Sequence, residues 1–116
     1  MKITFIEPIL LTVDLPDDYP LRWSGGEAKS VNCAFVRVHT DEGLTGLGDC
    51  YGPGFVAGKA TAELFQLFGR FIEGMDPRNV ANCYEQMYRR VIYWGRSGLA
   101  VAAASAIENA LWDIAG

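Results

Sequence analysis

The chain has 116 residues, of which 50% are hydrophobic, so it can bury the core of one small globular domain. Fourteen acidic and ten basic side chains give a formal net charge of −4, which argues against nucleic-acid binding because no excess of cations is available to neutralise phosphates. No run of about eighteen apolar residues occurs, so the sequence predicts no membrane span and no membrane partner.

The first half of the sequence predicts an antiparallel sheet. Residues 2–13 alternate and are rich in β-branched types, which indicates one strand or two short ones. Residues 14–30 hold two prolines and two glycines and are predicted as a long loop, which is uncommon in a compact domain unless the loop is functional or mobile. Residues 31–39 and 44–50 predict a hairpin turned by TDEG at 40–43, and the first strand completes a meander. The apolar residues that share one face of the first strand are Ile3, Phe5, Ile9, Leu11 and Val13.

The second half predicts three helices. The first follows a glycine-rich stretch and ends at Gly74, and the second begins with Asp76 as N-cap and Pro77 in its first turn. The third begins at about Leu99 and is apolar around most of its circumference, so it has to be covered on nearly all sides. That cover is either the core of this domain or a further domain after Gly116. The predicted fold class is α+β, a three-stranded antiparallel meander followed by a three-helix bundle.

The sequence lacks the usual signatures of an active site. In the glycine-rich stretch GLTGLGDCYGPGF, residues 43–55, a GxGxxG pattern from Gly46 would need glycine where Tyr51 stands, and no GxxxxGK[ST] occurs. The single histidine, His39, excludes a His-rich metal site, and no GxSxG accompanies any serine. Three cysteines without a CxxC spacing predict reduced thiols and a cytoplasmic protein. We therefore predict no catalytic and no metal-binding residue within these 116 residues.

Three segments together resemble a known domain. They are VRVHTDEGLTGLGD in the hairpin, GMDPRNV before the second helix, and GRSGLAVAAASAIENALWDIAG at the end of the chain. They are similar to the N-terminal capping domain of the enolase superfamily, in the branch of mandelate racemase and muconate lactonizing enzyme. The resemblance covers Lys2 to Gly116, with one departure: Asp49 stands where members typically carry glutamate. That departure weakens any role carried over to this carboxylate.

The resemblance implies that residues 1–116 are the capping domain of a larger enzyme and are inactive by themselves. In such enzymes a barrel of about 250 residues follows and carries the chemistry. Its acidic residues hold Mg²⁺, and its Lys or His bases remove the proton next to a substrate carboxylate. The implied parent is thus a Mg²⁺-dependent lyase or isomerase, with a small carboxylate as substrate, its own C-terminal barrel as partner, and homo-oligomeric assembly. We favour acid-sugar dehydration; racemisation, epimerisation and cycloisomerisation are the alternatives.

The resemblance also implies that two loops cover the barrel mouth, and the first is residues 14–30. Within it, Arg22 can grip a carboxylate with two hydrogen bonds, and Trp23 can line a sugar or an aromatic ring. Tyr19 is a further candidate for substrate binding. The alternatives are that Arg22 is merely solvated and that Trp23 packs its own loop.

The second loop is residues 50–58, whose glycines permit movement and close approach to a substrate. Tyr51 and Phe55 are its candidates for excluding water and shaping the pocket. The alternatives are that Tyr51 caps the sheet and that Phe55 packs the loop.

A hypothesis of another class is a complete small module without catalysis, which dimerises or binds a partner through the apolar third helix. The coding sequence after Gly116 distinguishes the two hypotheses. A barrel with a K-x-K or similar base motif supports the enzyme, and a stop codon supports the module.

Overall fold

The computed structural model describes residues 1–50 and 58–116, in which an antiparallel sheet packs against three helices. The strands are β1 (Ile3–Asp14), β2 (Leu21–Trp23), β3 (Gly26–Ala28), β4 (Ser30–Thr40) and β5 (Thr45–Cys50). The helices are α1 (Gly58–Ile72), α2 (Val80–Arg90) and α3 (Leu99–Ala115). The predicted α+β class is confirmed.

The main sheet is the predicted three-stranded meander. Its strand order is β1-β4-β5, with antiparallel pairing on both sides of β4. The β4–β5 turn contains Gly43 at φ +81°, a conformation that glycine adopts at little cost. The Thr40 amide donates to the Leu44 carbonyl at 3.1 Å, which closes this turn.

The first strand departs from simple alternation. Its pairing with β4 is irregular between Ile3 and Phe5, so the two residues do not continue one buried face. Ile3 is 1% exposed and Ile6 is 5% exposed, whereas Phe5 is 55% exposed. The prediction of one shared face from Ile3 onward is therefore wrong at its first residue. The remaining residues of the predicted face lie on the face of the sheet that points away from the helices: Phe5, Ile9, Leu11 and Val13.

The segment at 14–30 also differs from the prediction. It is not a continuous loop, because β2 and β3 pair as a short antiparallel hairpin within it. β4 then begins at Ser30, directly after the hairpin. Strands of three residues are too short to show a period-two pattern, which explains why the sequence indicated only a loop.

The second helix starts later than predicted. Its first residue is Val80 and its N-cap is Asn79, so Asp76 is not the N-cap. Asp76 instead stabilises the preceding turn: its Oδ1 accepts from the Arg78 amide at 2.9 Å, and its Oδ2 accepts from the Arg78 guanidinium at 2.7 Å. These bonds hold the pKa of the Asp76 carboxyl well below its usual range.

The third helix lies inside the domain along much of its surface. It contacts β4, β5, α1 and α2. Its buried residues are Ala100, Ala103, Ala104, Ala106, Ile107, Ala110 and Leu111. Trp112 remains 59% exposed. Packing within the domain thus accounts for most of the apolar circumference and leaves the side chain of Trp112 largely exposed.

The approach of α3 to β5 depends on two glycines. A Cβ at Gly48 would collide with the Ala106 carbonyl oxygen and lie 3.0 Å from the Ala110 nitrogen. A Cβ at Gly46 would collide with the Ala110 carbonyl oxygen and lie 2.7 Å from Ile114 Cγ1. These glycines of the glycine-rich stretch therefore serve backbone-to-backbone packing.

Cys83 predicts a pH dependence of stability. Burial, reinforced by the nearby Asp76 charge, raises the pKa of the Cys83 thiol from 9.0 to about 11. Between these values the unfolded chain releases a proton that the folded chain retains, so stability falls as pH rises. Well below pH 9 the thiol is neutral in both states and adds no pH dependence. We expect urea denaturation at several pH values between 8 and 10.5 to show that the free energy of unfolding falls more steeply with pH in the 116-residue chain than in Cys83→Ala. Parallel plots of unfolding free energy against pH for the two proteins would contradict this expectation.

The face of the sheet that points away from the helices mixes charge and apolar surface. His39 Nε2 lies 2.7 Å from Glu7 Oε2, and Arg37 Nη1 lies 3.5 Å from the same oxygen. The Phe5 and His39 ring centroids are 5.3 Å apart. His39 is thus a strand surface residue that is paired with a carboxylate.

Candidate functional site

One end of the sheet gathers most of the segments that the sequence singled out. There β1 ends at Asp14, β4 begins at Ser30, and these two residues are paired. Helix α1 also starts there, and its first residue, Gly58, lies beside β1 and β4. A Cβ added to Gly58 would lie 3.8 Å from Leu10 Cδ1 and 4.0 Å from Asn32 Cγ. We call this the loop end of the sheet.

The β2–β3 hairpin extends from the loop end. Its base is fixed by the Leu15 amide, which donates to the Lys29 carbonyl at 2.8 Å. Leu21 pairs with Ala28, Arg22 with Glu27, and Trp23 with Gly26. The fold therefore brings Arg22 and Trp23 onto one structured element instead of a free loop.

Arg22 forms an ion pair across the hairpin. Its Nε donates to Glu27 Oε2 at 2.8 Å, and the two side chains are 73% and 42% exposed. Since the two residues are direct cross-strand neighbours, the register of the hairpin itself brings them together. Sequence reasoning missed Glu27; the signal for this register was the Ser24-Gly25 dipeptide, which forms the two-residue turn between Trp23 and Gly26.

Trp23 lies on the other side of the strand from Arg22, because neighbouring strand residues face opposite ways. A Cβ on Gly25 would lie 2.5 Å from Trp23 Nε1, so the indole lies over the hairpin turn. The side chain keeps 39% of its surface exposed. Tyr19 precedes the hairpin, is 78% exposed, and donates its amide to the Pro16 carbonyl at 2.9 Å. Arg22 and Trp23 thus lie on opposite faces of β2, and Tyr19 is exposed in the segment before it.

The two candidates of the second loop, Tyr51 and Phe55, lie outside the described residues. The described chain stops at Cys50, which pairs with Ala34 of β4, and resumes at Gly58.

A cavity of about 380 Å³ opens at the loop end. Polar groups from three elements line it: Thr12 of β1, Asn32 of β4 and Lys59 of α1. Thr12 Oγ1 donates to Asn32 Oδ1 at 3.0 Å. Thr12 and Asn32 are two residue pairs from Asp14 and Ser30, so the cavity is about 7 Å along the strands from the hairpin base. The sequence did not reveal this cavity, because its lining comes from three distant segments.

The described residues contain no group of three or more His, Cys, Asp or Glu side chains that could hold a metal ion. The described residues therefore offer no cluster of ligands that fits Mg²⁺. None of the helices in the part of the chain that the structure describes is long and apolar enough to cross a membrane.

A family profile described as "Mandelate racemase / muconate lactonizing enzyme, N-terminal domain" matches residues 6–116. The chain is 31% identical over 116 residues to D-galactarolactone cycloisomerase of Agrobacterium fabrum, covering 100% of this chain and 29% of that protein. It is 37% identical over 82 residues to D-galactonate dehydratase of Xanthomonas campestris pv. campestris, covering 71% of this chain and 21% of that protein.

Among solved structures, a racemase from Streptomyces coelicolor A3(2) with bound magnesium superposes with a TM-score of 0.85 at 28% identity. That match covers 97% of this chain and 31% of the racemase. The chain thus spans 21 to 31% of the length of these three similar proteins. With a profile match over nearly its whole length, the chain belongs to the mandelate racemase and muconate lactonizing enzyme family of the enolase superfamily, and it corresponds to the N-terminal domain of that family.

Proposed function

We propose that this chain is the substrate-capping, specificity-determining domain of a larger enzyme that removes the α-proton of a carboxylate substrate. The observation that carries the proposal is the hairpin at the loop end, which holds an exposed guanidinium on a structured element. Substrate-binding groups are commonly placed on loops that a rigid scaffold positions. The catalytic groups and the barrel that bears them lie in the remainder of the parent protein.

Within that class, we propose that the parent is an acid-sugar dehydratase. Two of the similar proteins are named for the acid sugar D-galactonate and the sugar lactone D-galactarolactone. The cavity combines the polar groups of Thr12, Asn32 and Lys59 with the apolar side chains of Leu10 and Leu11. This lining suits the hydroxyl groups of such a substrate, because amide, hydroxyl and ammonium groups all form hydrogen bonds with hydroxyl oxygens. A cycloisomerase or a racemase is the alternative, since similar proteins also carry those names.

The proposed roles of the capping residues follow from their chemistry. Arg22 binds the substrate carboxylate, because a guanidinium can donate two parallel hydrogen bonds to it. Because Trp23 faces away from Arg22, it is the alternative contact of the hairpin with the carbon skeleton of the substrate, and Tyr19 in the segment before the hairpin is a further candidate for that contact. Tyr51 and Phe55 complete the cover and exclude water.

The remaining parts of the proposal concern the parent protein. Its Mg²⁺ would be held by acidic residues of the C-terminal barrel, where it would stabilise the charge formed on proton removal. We also propose a homo-oligomer in the cytoplasm. A reducing compartment suits the free thiols Cys33, Cys50 and Cys83.

The proposal is tested by screening the parent protein, with its intact mass and downstream coding sequence established first. Purified enzyme is incubated with Mg²⁺ and a panel of acid sugars beginning with D-galactonate, and a 2-keto-3-deoxy acid product is measured. We expect Mg²⁺-dependent dehydration of at least one acid. Racemised or cyclised product would assign one of the alternative reactions, and no turnover of any acid would overturn the acid-sugar assignment.

A stand-alone binding module is the second candidate function. The outer face of the sheet favours it, because Phe5, Leu11 and Leu47 are about half exposed there. A stop codon directly after Gly116 together with a dimeric sedimentation coefficient would support this candidate. A downstream barrel would exclude it.

A further inference from the structure

The cavity at the loop end contains a cation that has no counter-charge in the described chain. Among the described residues that line the cavity, Lys59 alone carries a charge. Its ammonium group forms no ion pair and no hydrogen bond with residues 1–50 or 58–116. Glu63 follows one turn later on α1, yet no ion pair joins the two side chains. The intervening sequence YGPGFVA, residues 51–57, contains no aspartate or glutamate.

Folding does not account for this lysine. Lys59 is the second residue of α1, and the first turn of that helix contains no acidic side chain. A cation is unfavourable at this end of a helix, because the aligned backbone dipoles make the N-terminus positive. The side chain is also exposed and lies outside the buried core. A ligand of opposite charge in the cavity beside it would explain why lysine stands at this position.

The remainder of the cavity lining suits a carboxylate. Asn32 Oδ1 accepts from Thr12 at 3.0 Å, so the two N–H groups of the Asn32 amide remain free of bonds within the described residues. Lys59 and Asn32 thus offer hydrogen-bond donors, and an ionised carboxylate is purely an acceptor. Leu10 and Leu11 supply apolar wall, which lowers the local dielectric and strengthens an interaction between opposite charges.

We propose that Lys59 is a specificity-determining residue that binds a second carboxylate, at the end of the substrate remote from the carbon that loses its proton. This inference rests on the proposed function and narrows its substrate class to aldaric acids, which are acid sugars with a carboxylate at each end. A cavity of about 380 Å³ has room for that terminal carboxylate and the neighbouring hydroxyl, which Asn32 can bind.

The test compares two matched pairs of acid sugars in the parent enzyme with Mg²⁺: galactarate with D-galactonate, and D-glucarate with D-gluconate. The members of a pair differ at one end, which is a carboxylate in the diacid and a hydroxymethyl group in the monoacid. We expect kcat/KM to favour the diacid about 30-fold in at least one pair, since the ratio of the two kcat/KM values measures discrimination. Turnover of the monoacids alone would overturn this inference and leave the proposed function standing. No turnover of any acid would overturn the acid-sugar assignment itself.

Two substitutions of Lys59 then assign the discrimination to its charge. Lys59→Met keeps the length of the side chain without the ammonium group, and it should bring the two kcat/KM values of the pair to within about threefold of each other. Lys59→Arg retains a cation and should keep most of the preference for the diacid. A preference that survives in Lys59→Met would overturn the proposal.

Lys29→Met is the matched control for the loss of one positive charge. Lys29 is also exposed and lies at the loop end, where its carbonyl accepts from the Leu15 amide, but it is not among the residues that line the cavity. We expect it to leave the preference for the diacid within about twofold of the unaltered enzyme. Equal losses in Lys29→Met and Lys59→Met would show a general attraction of anions in place of a binding site, and would overturn the proposal.

Ionic strength supplies a readout that a merely structural role of Lys59 would not change. Salt screens the attraction between an exposed ammonium group and a carboxylate, so raising it from about 0.05 to about 0.5 M should reduce the preference in the unaltered enzyme and in Lys59→Arg. The ratio in Lys59→Met should not respond. A preference in the unaltered enzyme that is the same at both salt concentrations would indicate recognition by shape, and would overturn the role of the charge.

Discussion

Gly48→Ala is expected to lower the free energy of unfolding of the 116-residue chain by about 3 kcal/mol, through overpacking at a buried helix–strand contact. The added methyl group would collide with the Ala106 carbonyl oxygen and lie 3.0 Å from both the Ala106 carbonyl carbon and the Ala110 nitrogen. These are backbone atoms of α3, so no side-chain rotation can relieve the overlap. Either the helix or the strand must move, and the neighbouring core then loosens. Urea denaturation followed by circular dichroism measures the change.

Gly58→Ala is the matched control. It adds the same methyl group at the first residue of α1, where the nearest atoms are 3.8 and 4.0 Å away. We expect its stability to stay within about 0.5 kcal/mol of the unaltered chain, because alanine also favours helix more than glycine does. If Gly48→Ala and Gly58→Ala unfold at the same urea concentration, α3 is not seated against β5 as closely as the structure shows.

These glycines show how far local sequence patterns reach. The positive φ of Gly43 follows from the TDEG turn and was predictable, since turn chemistry depends on adjacent residues. The need for glycine at positions 46 and 48 comes from a helix some sixty residues later in the chain, and no local pattern expresses that contact. The sequence predicted that the glycine-rich stretch does not bind phosphate. The structure explains why two of its residues, Gly46 and Gly48, are glycines: the backbone of α3 packs directly against them.

The first strand and the third helix illustrate the same limit. Alternation predicted the existence of β1 and the meander, but the irregularity after Ile3 depends on how β1 pairs with β4. The apolar circumference of α3 predicted that many of its sides are covered, yet it could not say by what. In the structure, β4, β5, α1 and α2 cover most of the helix, and the side chain of Trp112 remains exposed.

The candidate site was predictable in its residue types and not in its geometry. Arg22 and Trp23 stood out because a guanidinium and an indole in a long segment suit ligand binding. Their placement on a hairpin, and the pairing of Arg22 with Glu27, depend on strands of three residues each. Such strands are too short to be recognised by periodicity and are stabilised by their anchorage at the loop end. The cavity lined by Lys59 escaped prediction for a similar reason, since its walls meet only in the folded chain.

Arg22→Ala in the parent enzyme is expected to reduce kcat/KM for the acid sugar roughly 100-fold. A hydrogen bond to a charged partner contributes about 1.5–3 kcal/mol, and each 1.36 kcal/mol corresponds to tenfold in rate. The loss should appear in kcat as well as in KM, because the carboxylate adjoins the carbon that loses its proton and its oxygens gain charge in the transition state. Mg²⁺ affinity, measured by calorimetry, should not change, since the part of the chain that the structure describes offers no cluster of metal ligands.

Arg89→Ala is the control for the loss of an exposed, ion-paired arginine. Arg89 is 72% exposed and pairs with Glu85, so it matches Arg22 in exposure and charge but lies on α2, away from the hairpin. We expect it to leave kcat/KM within about twofold of the unaltered enzyme, as is usual for a surface ion pair.

Trp23→Ala then tells which side of β2 meets the substrate, because Trp23 and Arg22 face opposite ways. A full loss with Trp23→Ala and none with Arg22→Ala would assign the indole face to the substrate and remove Arg22 from the site.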